Sequence, residues 1–107
     1  MTDLPLAGFL AVSAVLLGVG IFGILTRRNF ILLLIAIEVA MNSAILNFVV
    51  FGSYWSGPGT RGLEGQSVAV VLIGLAATEV AVGLAIVLAL NRQRGSINVA
   101  EATILKL

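Results

Sequence analysis

From Leu4 to Leu25 the chain runs 22 residues without a charged side chain. Two more apolar runs follow. One extends from Asn29 to about Phe51 with Glu38 as its one charge, the other from about Ser67 to Leu90 with Glu79 as its one charge. The hydrocarbon core of a bilayer is about 30 Å thick and takes about 20 helical residues to cross. Each run is long enough, and none alternates in and out as a membrane barrel strand does. Composition agrees: 60% of residues are hydrophobic and 10% charged, against about 45–50% and about 25% in a soluble domain. Mean hydropathy is +1.16. The predicted fold is all-α: a single integral membrane domain over 1–107, with transmembrane helices at about 4–25, 29–51 and 67–90 and a polar tail at 91–107.

The two breaks differ. Thr26 to Asn29 is too short for anything but an antiparallel turn. Gly52 to Gln66 is dense in turn formers and predicts a loop; Tyr54 and Trp55 stand there as interfacial anchors. With three spans, Arg27, Arg28, Arg92, Arg94 and Lys106 fall on one side and Arg61 alone on the other. This bias predicts that the short turn and the tail are cytoplasmic and that the N-terminus and the longer loop face outward. Asp3 and the length of the first run argue against a secretory signal.

Several function classes drop out. The chain has no cysteine and no histidine, which removes disulfides, thiolate or imidazole metal sites and Ser-His or Cys-His catalysis. A net charge of +1, with no basic cluster larger than a pair, argues against nucleic acid. Gly18, Gly20 and Gly23 lie inside a membrane span with no strand before them, so they are not a nucleotide loop.

The two intramembrane glutamates remain. An acidic group near a helix centre costs about 2.5–3.5 kcal/mol even on the permissive insertion scale. Glu38 lies nine residues past Asn29, roughly 14 Å in, and Glu79 lies 12 residues before Asn91, roughly 18 Å in. Both are near the midplane, and no lysine or arginine shares that depth. Each is therefore neutral, wetted, or paired with a group on another subunit. Intramembrane ionisable groups are functional by default, and two carboxyls of this kind read as a proton relay, the competing role being hydrogen-bonded glue between helices. Asn42, one turn from Glu38, shares its face, and Ser43 and Asn47 are read as continuing a polar stripe toward the outer side. Gly8, Ala11, Ala14 and Gly18 on the first helix, and Gly74, Ala77, Ala81 and Ala85 on the third, read as packing faces. Arg27 and Arg28 are either topology anchors or a docking or proton-entry element of the cytoplasmic turn.

These residues fall into a known pattern. Gly23 to Ile31, with its Arg-Arg-Asn turn, then Ile37 to Asn42 around Glu38, then Asn47 to Phe51, resemble the first two helices of the K subunit of bacterial NADH:quinone oxidoreductases, the counterpart of mitochondrial chain 4L. Glu64 to Ser67 and Ala76 to Ile86, around Glu79, are similar to its third helix, and Ser96 to Lys106 to its C-terminal strip. The likeness runs over about 18–107. It implies a non-redox subunit of a proton-pumping translocase. NADH, flavin, iron–sulfur clusters and quinone would be handled by other subunits, with no cofactor or metal on this chain. The partners implied are the J-type, N-type, A-type and H-type membrane subunits within the bacterial plasma membrane. Glu38 and Glu79 would belong to the axis coupling quinone reduction to proton movement, with Asn42 and Asn47 in support and Arg27 and Arg28 in the cytoplasmic loop. Glu64 stands where the family pattern has aspartate, and the Ser53–Gly62 loop is longer and richer in glycine.

Rival readings are the small subunit of a related sodium/proton antiporter or membrane-bound hydrogenase, and a purely structural assembly subunit. Small multidrug exporters have four helices with a glutamate in the first, and rotary ring subunits are two-helix hairpins with one carboxylate. The present pattern fits neither.

Overall fold

The computed structural model describes residues 5–59 and 62–95. Leu4, Arg61, Lys106 and the tail beyond Gly95 lie outside them. The described residues form three α-helices and no strand: α1 (Leu6–Thr26), α2 (Phe30–Tyr54) and α3 (Leu63–Arg94). At about 1.5 Å per residue their 21, 25 and 32 residues measure roughly 32, 38 and 48 Å. All three are long and apolar enough to cross a membrane.

The turn between α1 and α2 is set by local chemistry. The Thr26 hydroxyl donates back to the Phe22 carbonyl at 2.7 Å, and Arg27 leaves the helix in an extended conformation. Asn29 then caps α2. Its side-chain oxygen accepts from the backbone N–H of Ile31 at 2.9 Å and of Leu32 at 3.4 Å, satisfying donors that a helix start leaves open. Asparagine therefore follows the two arginines for a mechanical reason.

α2 lies between its neighbours, packing against both α1 and α3, while α1 and α3 make marginal contact at most. The approach is close because the residues are small. A Cβ on Gly20 would fall 2.7 Å from that of Ala40, and one on Gly23 would fall 2.6 Å from that of Ala36. On the other side a Cβ on Gly52 would meet the Gly65 Cα at 2.6 Å, and Gly83 faces the Leu34 side chain. The buried apolar residues are Ala36, Ile45, Val50, Ala69, Ala76 and Val87. Large apolar side chains turn outward instead, Leu25, Val70 and Val71 among them, as befits helices whose surroundings are lipid or other helices.

Three expectations change. α2 runs on past Phe51 to Tyr54, and α3 begins at Leu63 and ends at Arg94, so the loop is shorter than Gly52 to Gln66 and the tail's first four residues are helical. The reason is that Gly52 and Gly65 are packing residues inside helices, where each gives the other backbone room to approach. The small-residue faces that meet within the chain are also different ones. Gly8, Gly18 and Gly74 have nothing within 4 Å of a built Cβ, and Ala11, Ala14, Ala77, Ala81 and Ala85 are exposed. The intrachain seams use Gly20 and Gly23 of α1, and Gly65, Ala69, Ala76 and Gly83 of α3.

Candidate functional site

The contacts between α2 and α3 define their register. Gly52 meets Gly65, and Leu34 meets Gly83. One turn on from Leu34 is Glu38, and one turn back from Gly83 is Glu79. Residues four apart on a helix share a face. The two carboxyls therefore sit at one level, each one turn from the same interhelical contact. The same register sets Phe30 level with Val87, so the last seven residues of α3 project roughly 10 Å beyond the start of α2. Arg92 and Arg94 ride on this projection, on the same end as exposed Arg27 and Arg28.

Glu38 is half-buried and Glu79 exposed. Among the described residues neither has a hydrogen-bond or ion-pair partner. The role of glue between this chain's helices belongs to a different pair. Ser13 of α1 and Ser43 of α2 are each 3% exposed. The Ser43 hydroxyl donates to the Ser13 carbonyl at 2.8 Å. The Ser13 hydroxyl lies 3.1 Å from the Ser43 carbonyl, to which it can donate, and 2.9 Å from the Ser43 hydroxyl.

This pairing corrects the expected polar stripe. A helix turns about 100° per residue. Asn42 thus follows Glu38 on one side of α2, but Asn47, nine residues on from Glu38, falls about 180° away. Ser43 and Asn47 share the opposite side, and Ser43 is committed to α1. Asn47 is half-buried, and its side-chain oxygen is enclosed with no partner among the described residues. It lines a groove of about 480 Å³ with Phe48, Phe51, Gly52, Trp55, Glu64, Gly65 and Val68. Trp55 stacks on Phe51 with ring centres 5.0 Å apart and meets Tyr54 edge-on at 5.4 Å; Tyr54 and Trp55 are 61% and 71% exposed, an aromatic cluster at the end of α2. Ser13 was not among the candidate residues: a lone serine in an apolar run carries no signal of its partner.

Comparison with known proteins places the chain. Residues 8–107 match the family described as NADH-ubiquinone/plastoquinone oxidoreductase chain 4L. A protein of Desulfitobacterium hafniense named NADH-quinone oxidoreductase subunit K is 42% identical over 103 residues, covering 94% of each chain. Subunits of the same name from an Anaeromyxobacter species and a Geobacillus species are 41% and 39% identical. The first alignment covers 95% of this chain and 98% of the relative, the second 99% of each. With three helices able to cross a membrane and this likeness along nearly its whole length, the chain belongs to the chain 4L family of NADH:quinone oxidoreductases, as a multi-pass membrane subunit of the K type.

Proposed function

We propose that the chain carries part of the proton path of the membrane arm of NADH:quinone oxidoreductase, through Glu38 and Glu79. The observation that carries this reading is the pair itself: two carboxyls at one level of adjacent membrane helices, without a partner among the described residues. A carboxyl kept in that setting is costly, and among the described residues neither glutamate makes the interhelical hydrogen bond that a role as glue requires. What balances the glutamates is then water, a proton, or a group on a neighbouring subunit. Asn42 extends the polar face of Glu38 by one turn. Asn47 belongs to the separate groove near Trp55 and Glu64, where its unpaired oxygen supports a role toward the opposite end.

The neighbours proposed are the J-type, N-type, A-type and H-type subunits, with redox cofactors and quinone held elsewhere in the complex. The arginine end, with Arg27, Arg28, Arg92 and Arg94, is proposed as cytoplasmic. Replacing each glutamate by glutamine in the assembled complex tests the reading. Coupled NADH-driven quinone reduction should fall severely for Glu38→Gln, and to a lesser degree for Glu79→Gln, whose neighbours one turn away, Leu75, Ala76, Val82 and Gly83, are apolar. Normal activity in both would end it.

A further inference from the structure

The Ser13–Ser43 contact does more than hold two helices together. In lipid, apolar faces have no hydrophobic drive to associate, and packing and polar contacts decide the geometry. The rest of the α1–α2 seam near this level is smooth, built from Gly20, Gly23, Ala36 and Ala40. Small faces of this kind allow close approach but supply no directional contact of their own. The reciprocal serine contact is directional, with each hydroxyl reaching the other residue's backbone carbonyl. Ser43 stands five residues on from Glu38, about 140° round the helix. Holding Ser43 against α1 therefore turns Glu38 and Asn42 away from it.

We infer that the Ser13–Ser43 pair is the rotational lock of α2, and that both serines are positioning residues for the Glu38 carboxyl. The inference rests on the proton-path reading of Glu38. Its leverage is geometric. A side chain ends roughly 5–6 Å from the helix axis, so a rotation of about 20° moves the carboxyl roughly 2 Å. A proton transfer needs donor and acceptor about 2.6–3.2 Å apart, and a misplacement of about 1 Å costs up to about 100-fold. α1 contributes no charged side chain of its own among the described residues. Its part is to brace the helix that bears Glu38.

This chain has no cysteine, so an introduced pair is the one disulfide the subunit could form within itself. Hydroxyls 2.9 Å apart are close enough for cysteines at both positions to be bridged. The complex carrying Ser13→Cys with Ser43→Cys is purified, oxidised and then reduced, with wild-type complex treated in parallel. Ser13→Ala, which adds no bulk, is measured beside it. The lock predicts that the reduced pair and Ser13→Ala lose roughly three- to ten-fold in kcat per assembled complex. KM for NADH and quinone should not move, and oxidation should restore kcat in the same sample. Unchanged kcat in Ser13→Ala and in the reduced pair would overturn the inference, as would a loss that oxidation does not repair. Glu38→Gln, measured in the same series, separates the two claims. If it alone is inactive, the lock is wrong and the proton path stands; if it is fully active, the proton path itself is wrong.

Discussion

Glu38 and Asn42 lie on one face of α2, with Glu38 half-buried and Asn42 exposed. A carboxyl moved by one turn along that face remains on the same side of the helix. Combining Glu38→Gln with Asn42→Glu should therefore recover part of the coupled turnover that Glu38→Gln alone loses. Combining it with Asn47→Glu, about 180° round the helix, should recover none; equal recovery at both positions would show that the face does not matter. The two glutamates were legible in the sequence because a charge inside an apolar run has few inexpensive explanations. The division of polar residues between faces was legible as well, from the 100° step alone, but reading Ser43 and Asn47 as one stripe with Glu38 passed over it. Ser13 was not legible: its meaning comes wholly from Ser43, 30 residues away.

At the scale of elements, glycine is what the sequence leaves ambiguous. It serves a turn and a close helix crossing equally well, and Gly52 and Gly65 read as punctuation until α3 is set against α2. Gly65→Ala places a Cβ against the Phe48 carbonyl and 2.7 Å from the Gly52 Cα, both backbone atoms that cannot step aside. It should sharply reduce the amount of assembled complex recovered from membranes. Gly74→Ala on the same helix meets nothing among the described residues and gains about 1 kcal/mol of helix propensity, so any loss of assembly there would report a partner helix on that face. Asn29→Ala removes the cap of α2 and should cost about 1 kcal/mol, read as a lower thermal midpoint of the complex, whereas Asn29→Asp should be nearly neutral. Helix number and order followed directly from the three apolar runs, while the ends of α2 and α3 depended on contacts between them.

For the whole molecule, the exposed apolar surface and two carboxyls without a partner among the described residues describe a part rather than a device complete in itself. The proposed orientation rests on the placement of the basic residues: a reporter fused after Leu107 should signal the cytoplasm, and one inserted near Gly59 the outer side. Exchanged signals would overturn the orientation. The central claim concerns proton movement through the assembled complex, and Glu38→Gln addresses it most directly because glutamine keeps the size of the side chain but cannot exchange a proton. The measurement is proton translocation driven by NADH oxidation in membrane vesicles, normalised to assembled complex. Assembly should be normal and translocation severely reduced; normal assembly with undiminished translocation would rule out a proton path through Glu38.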